Sequence, residues 1–317
     1  MTLKQLRFLR EIARQSLNIS SAASALHTSQ PGVSRQIQLL EQELGVKLLV
    51  RRKNRVLAVT EIGRAVLDAA GRMLDEADNI GLMARDASGE QGGKLRIATT
   101  HVHARHSLRA PISAFTRAYP NVELQLLQVD ADDIGAMVEG DGAEIGISTE
   151  TTSEHAALVL LQGELIYRSV IMPAGHPLQS KRRLRLADLG RYPLVGYSPR
   201  SRSGQVIVDT FRSEGIEVRF VVSANDSDVI KAYVEEGLGI AIVPTLAIDR
   251  ETTPGLYASD VTHLFPETRM MISLRRDIYP RTYLTDFIRM LVPAWDRNAV
   301  LAAMGLARSR RGATRAR

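Results

Sequence analysis

His101, His103 and His106 crowd into six residues directly after Thr99 and Thr100. Three imidazoles so close raise the question of a metal. The i, i+2 and i, i+5 spacings do not share one helix face, and no Cys or acidic partner lies nearby, so no metal is expected. Hydrogen bonding to a small ligand, or plain surface exposure, is the simpler reading. Asp226 and Asp228 look like paired carboxylates, but their position suits caps of a following helix that line a cleft. Ser198, Ser201 and Ser203 stand in a polar, Gly/Pro-containing loop after a strand, either a surface turn or a set of ligand contacts. No GxGxxG or GxxxxGK(S/T) stretch is present, so no phosphate loop is read and no cofactor is expected. No catalytic residue and no enzymatic activity is assigned.

A different chemistry runs from Asn18 to Gly45. Ser20 is expected to cap a short helix whose Ala22, Ala23 and Leu26 face inward, and His27-Thr28 form a turn. Ser29 caps a second helix. Pro31 sits early in it, where its missing N–H costs nothing, and Gly45 follows its end. Val33, Ile37, Leu40 and Leu44 make its apolar stripe. Outward it presents Gln30, Gly32, Ser34, Arg35 and Gln36, the small, amide and cationic types that reach base edges and phosphates in a major groove. By itself this pattern fits either a helix-turn-helix or an ordinary helical hairpin.

Charge distribution separates the two. Residues 1–59 hold ten Lys/Arg against three Asp/Glu, and the last ten residues hold five Arg and no acid. With a net charge of +6 for the 317 residues, the middle of the chain is acidic. A basic N-terminal module on an acidic body points to a polyanion as partner of that module. Arg51, Arg52, Lys53, Asn54 and Arg55 form the tip of a hairpin between Val46–Val50 and Val56–Ala58. Alone this is a solvated charged turn; beside the second helix it is a wing suited to phosphate contact. The absence of cysteine excludes disulfides and is compatible with a reducing cytoplasm. No apolar run approaches a membrane span, and the N-terminus is an amphipathic helix rather than a signal peptide, so a cytoplasmic protein is expected.

These elements need a scaffold. A first helix over 3–14 completes a three-helix core, giving a DNA-binding domain over 1–59. Thr60 opens a long helix of about 27 residues, some 40 Å, through 60–88, too exposed unless it pairs with a partner. Ser88–Gly93 is a hinge. Beyond it, strands at 94–100, 122–129 and 143–149 alternate with helices at 103–118 and 132–140, implying a parallel α/β sheet. A second set follows: a strand near 164–173, strands at 192–198, 218–224 and 239–244, and helices at 204–214 and 227–236. A strand at 269–276 and a helix at 280–292 return to the first unit. This gives an effector-binding domain over 89–307, with one lobe at about 94–163 and 267–307 and the other at about 164–266. Ligands bind in such clefts at strand C-terminal ends. Residues 308–317 form a basic tail, read as a solubilising end.

The stretch AASALHTSQPGVSRQIQLLEQELGVKLLVR (22–51), the Thr-capped long helix and the two-lobe body together resemble the LysR-type transcriptional regulators over essentially the whole chain. Within that family IATTHVHARHSL (97–108), YPLV (192–195), NDSDVIKAYVEEGLGIAI (225–242) and DFIRMLVP (286–293) are most similar to the CysB group, which controls sulfur assimilation. The resemblance implies an N-terminal winged helix-turn-helix and a periplasmic-binding-protein-like effector domain. It implies a homotetramer, a dimer of dimers, on double-stranded promoter DNA, with RNA polymerase as a further partner and no membrane. Ser20, Ser29, Gln30, Pro31, Gly32, Ser34, Arg35, Gln36 and residues Arg51 to Arg55 would face DNA. It also implies a small anionic sulfur-related effector: sulfate, an acetylated serine or adenylyl sulfate.

Thr100 and Thr149 match positions that contact the effector in CysB-type proteins. Both end predicted strands, and Thr100 with the N–H groups of 101–103 makes an anion site without any family knowledge. The full set expected at the effector is Thr99, Thr100, His101, Val102, His103, Thr149, Ile166, Ser198, Arg202, Ser203 and Asp226. Val102 replaces a Thr of the pattern, His103 a Gln, Ile166 a Trp, Gly196 a Thr, and Arg202-Ser203 a Thr-Gly pair. Such a pocket favours a more highly charged or larger anion. The competing class is a small-molecule-binding α/β protein whose basic N-terminal domain serves oligomerisation.

Overall fold

The structure is a computed structural model and describes residues 1–52, 55–90, 92–149, 155–248 and 255–306, without the side chain of Arg55. Lys53, Asn54, the Arg55 side chain and the basic tail lie outside the described residues. Two compact units result, Met1–Glu90 with Asp277–Tyr279, and Gln91–Arg276 with the remaining C-terminal residues.

In the first unit, α1 (Leu3–Arg14), α2 (Ile19–Ala25) and α3 (Gln30–Leu44) enclose Leu6, Leu9, Ile12, Ala22, Val33, Ile37 and Leu40, all buried. Asn18, not Ser20, caps α2: its Oδ1 accepts from the N–H groups of Ser20 and Ser21, because the helix begins two residues earlier than a Ser20 cap requires. Ser29 accepts from Gly32 N–H at the start of α3, and Gly45 ends it at φ 69°. β1 (Leu49–Arg52) and β2 (Arg55–Val59) pair antiparallel as the wing, with a register shift between Val50 and Arg51. Glu41 joins helix to wing. Its carboxylate is buried, accepts from Leu48 and Leu49 N–H at 2.9 and 3.2 Å, and lies 3.3 Å from Lys47 Nζ. Thr60 caps α4 (Glu61–Ala87), which packs on α1 with ion pairs Arg7–Asp78 and Arg10–Asp75. The α4 amide of Asn79 donates to Asp277 O and accepts from Tyr279 N–H, both at 2.7 Å.

The second unit contains two sheets. The first orders β4 (Val122–Gln128), β3 (Gly93–Thr99), β5 (Ile145–Thr149), β12 (Arg269–Arg275) and β6 (Leu158–Leu165). β3 is parallel to β4 and β5, as the alternating pattern required, whereas β12 runs antiparallel between β5 and β6. α5 (Arg109–Ala118) and α10 (Thr282–Leu291) meet through an edge-on contact of Phe115 and Phe287, centroids 5.4 Å apart. The other sheet orders β10 (Ala241–Pro244), β7 (Arg168–Pro173) and β11 (Leu256–Asp260). A parallel pair, β8 (Leu194–Gly196) and β9 (Phe220–Ser223), adjoins it through the bridge Leu194–Ile240. Helices α6 (Ala131–Glu139), α7 (Leu186–Leu189), α8 (Arg202–Ser213), α9 (Ser227–Glu235) and α11 (Arg297–Ala303) complete the unit.

Two expectations change. The strand expected near 164–173 is β7, beginning only at Arg168, and a further strand, β6, precedes it in the other sheet; β6 escaped notice because the outward-facing Leu160 hides its alternation. The helix predicted over 103–118 is interrupted. A π-helical turn spans His103–Ser107, with Leu108 N–H donating to His103 O, before α5 begins.

Glu41 generates a stability prediction. Removing a buried acceptor strands two buried N–H groups, so Glu41→Ala should lower the first unit's unfolding free energy by about 2 kcal/mol in urea titrations. An unchanged midpoint would contradict this role.

Candidate functional site

Four strands of the second unit lead directly into helices at one cavity of about 270 Å³. β3 leads to the helical turn at 101, β4 to α6, β8 to α8 and β9 to α9. Each helix start leaves N–H groups without intrahelical acceptors and carries the positive end of the helix dipole. At α6 and α9 that charge is met by Asp130 and Asp226. At 101 and α8 the residues in front are Thr100 and Ser201, uncharged hydroxyls. One of these starts, α6, is therefore fronted by an acid on the cavity wall, α9 by an acid beside it, and two are open to an anion.

Thr100, His101, Val102, Thr149, Ser198, Arg202 and Ser203 line the wall as the sequence indicated. Thr100 Oγ1 is buried and has no hydrogen-bond partner among the described residues. Thr99, Ile166, His103 and Asp226 do not line it. Thr99 is fully buried, and its hydroxyl is spent on Ile147 O at 2.9 Å. Ile166 follows β6 at the crossover and faces a separate cavity with Ser107, Tyr167 and Thr245. Asp226 Oδ1 caps α9 through Asp228 N–H, while Oδ2 lies 3.7 Å from His101 Nδ1. His103 lies one layer behind the wall. Its Nε2 is 2.8 Å from Thr149 Oγ1 and its Nδ1 2.9 Å from Ser107 Oγ.

Sequence reasoning missed Arg168, Arg200, Asp130, Tyr197, Asn225 and Ser227 on the wall. Arg168 had a signal: a lone cation in the apolar run Ile166–Met172, on a strand that proves fully interior, must meet a polar feature. It is buried, with Nη2 3.3 Å from Thr268 Oγ1 and the guanidinium over the Phe265 ring. Tyr197 donates or accepts at 2.6 Å with Ser227, and burial pushes its phenol up to about 12, so it stays protonated. Contacts cross between the lobes beside the cavity: Asn225 Nδ2 donates to Asp130, and Arg105 pairs with Asp228. Among the described residues, no three His, Cys, Asp or Glu side chains form a group that could hold a metal ion.

On the first unit, Ser20, Ser29, Gln30, Pro31 and Arg35 are exposed, and Gly32, Ser34 and Gln36 are half-buried. Arg52 is exposed. Arg51 is not aimed outward: Nη1 donates to Ser34 Oγ at 3.0 Å, and Nε and Nη2 are buried. Arg51 keeps the two-residue alternation of β1, on the same face as buried Leu49 and opposite exposed Val50; the extra residue at the register shift is Leu57 on β2.

A winged helix-turn-helix followed by a two-lobe α/β unit with a polar cleft is the architecture of a DNA-binding transcriptional regulator. Residues 3–64 match the "bacterial regulatory helix-turn-helix protein, lysR family" and residues 88–296 the "LysR substrate binding domain". The chain belongs to the LysR family of transcriptional regulators and is not an enzyme. It is 38% identical over 304 residues to the regulator CysB of Burkholderia cenocepacia, covering 96% of this chain and 97% of that one. It is also 38% identical to SsuR of the same organism over 293 residues, covering 92% and 95%. The crystal structure of the cofactor-binding domain of the Cbl transcriptional regulator is similar at 31% identity and TM-score 0.64, covering 69% of this chain and 96% of that one. No helix among the described residues is long and apolar enough to cross a membrane.

Burial of the His103 ring, with a smaller push from the charge of His106, lowers its pKa from 6.5 to about 4. An unfolded chain therefore binds a proton at this histidine between those values while the folded chain does not. Stability from the neutral ring is complete above pH 6.5 and is lost as pH falls toward 4, by about 3 kcal/mol. His103→Gln should unfold with a shallower pH dependence over that window in chemical denaturation. An identical slope would place the acid sensitivity elsewhere, such as at His106, which burial also lowers.

Proposed function

We propose that this regulator binds promoter DNA through α3 and the wing and responds to a small sulfur-related anion held in the α/β cleft, controlling sulfur-assimilation or sulfur-source genes. The observation that carries the effector reading is the pairing of two hydroxyl-fronted helix starts, Thr100 and Ser201, with Arg168, Arg200 and Arg202 around one cavity. Similarity to CysB, SsuR and Cbl supports the sulfur assignment. Sulfate occupies only part of about 270 Å³, so the dimensions also suit an acetylated serine, while adenylyl sulfate would need the cleft to open. Ligand seated between the lobes changes the angle between them.

Ser29, Gln30, Pro31, Gly32, Arg35, Gln36 and Arg52 are assigned to the DNA face, with Ser34 held by Arg51 and Ser20 at the periphery. The exposed α4 side chains Ile62, Met73, Ile80 and Met83 support pairing of two chains along this helix. A dimer of dimers built on that pairing would present four recognition helices. The protein's place is the cytoplasm, where promoter DNA lies.

Two experiments test this reading. In gel shifts over a salt series, Arg52→Ala should weaken binding to all DNA sequences several-fold and flatten the salt dependence, as loss of a phosphate contact does. Arg51→Ala should instead alter discrimination between specific and random DNA, because it releases Ser34 on α3. Failure of the intact protein to form any complex at low salt would refute DNA binding. For the cleft, sulfate, acetylserines and adenylyl sulfate are screened for a rise in melting temperature. Thr100→Val should abolish that rise while leaving DNA binding measurable; an undiminished response would refute the site.

A further inference from the structure

We infer that His103 is a positioning residue which, without touching the ligand, holds the Thr149 hydroxyl as a hydrogen-bond donor toward the cavity; this rests on the effector reading above. Thr149 lines the cavity and His103 does not. The ring is fully buried, with Thr149 Oγ1 on one nitrogen and Ser107 Oγ on the other. A neutral imidazole carries one N–H and one bare nitrogen, so the two hydroxyls must play opposite parts.

A hydroxyl has a single proton, and the tautomer decides where Thr149 spends it. With hydrogen on Nε2, the ring donates to Thr149 Oγ1, and the threonine proton is left for an acceptor in the cavity. Nδ1 then accepts from Ser107. With hydrogen on Nδ1, Thr149 must give its proton to the ring and turns lone pairs toward the cavity, which repels an anion. An anion in the cavity therefore selects the Nε2–H form. The π-helical turn makes the second half of the relay available. The His103 carbonyl receives Leu108 N–H, five residues on, and the Ser107 hydroxyl turns to the ring instead of to that carbonyl. The deep lowering of the ring's pKa agrees with a neutral imidazole at physiological pH.

The test is a titration of the full chain with sodium sulfate against chloride at constant ionic strength. A glutamine amide can place its NH₂ near the Nε2 position, so His103→Gln should bind sulfate within about twofold of the wild type. His103→Leu should lose about tenfold, the scale of one oriented hydrogen bond. Thr149→Val should lose a similar factor, and His103→Leu/Thr149→Val no more than either alone. Imidazole ¹⁵N spectra of the sulfate-bound wild type should show neutral Nε2–H His103. Unchanged sulfate binding by His103→Leu, additive losses, or an Nδ1–H ring with sulfate bound would each overturn the assignment. Should His103→Leu fail to fold, the glutamine variant, Thr149→Val and the ring spectrum still decide it. A wild type with no saturable response to sulfate, acetylserines or adenylyl sulfate defeats the effector reading and this proposal with it. Binding by the wild type that is indifferent to His103 defeats the proposal alone.

Discussion

A parallel strand that passes into a helix must deliver the helix N-terminus at the strand's C-terminal end, and neighbouring parallel strands deliver theirs along the same rim. In the second unit this happens four times around one cavity. The positive dipole ends so gathered have to be compensated. Asp130 and Asp226 do so at two corners, while Thr100 and Ser201 leave two corners uncompensated. That imbalance, with Arg168, Arg200 and Arg202 set against Asp130 and Asp132 on the same wall, is what supports the proposal of an anionic ligand.

Desolvation governs the remaining choices. A buried polar group must be bonded, so each one records what its surroundings supply. Glu41 is buried because the chain reversal after α3 leaves two N–H groups without acceptors. His103 is buried because two hydroxyls flank it. Thr100 Oγ1 breaks the rule at the cavity wall. Unsatisfied polar atoms gather at functional sites, where a ligand completes them. Arg51 on the DNA-binding unit obeys the rule only in part: Nη1 reaches Ser34 on the face of α3, while Nε and Nη2 are buried without partners among the described residues.

Much of the fold was legible in residue pattern. The caps Ser29 and Thr60, the αL glycine Gly45 and the apolar stripe of α3 are local signals, and local signals survive without tertiary context. Less legible were β6, whose alternation Leu160 obscures, and β11, whose five residues Leu256–Asp260 carry too little apolar contrast. The cleft was read partly from strand ends, which found Thr100 and Thr149, partly from resemblance, which placed Ile166 on a wall it does not line, and partly from a helix-cap position, which put Asp226 on a wall it stands beside. Which side of the barrier a residue takes depends on chain crossovers that no local pattern encodes.

Sequence by itself determined most of the order of elements, the basic character of the first 59 residues and the alternation that demands a parallel sheet, because these rest on periodicity, caps and charge along one chain. Only the tertiary structure decided that Arg168 joins Arg202 across more than thirty residues of sequence, that Arg51 serves Ser34, and that His103 stands behind Thr149. Those pairings are set by sheet order and by the cost of burying a polar atom without a partner, and both are properties of the folded assembly of strands and helices.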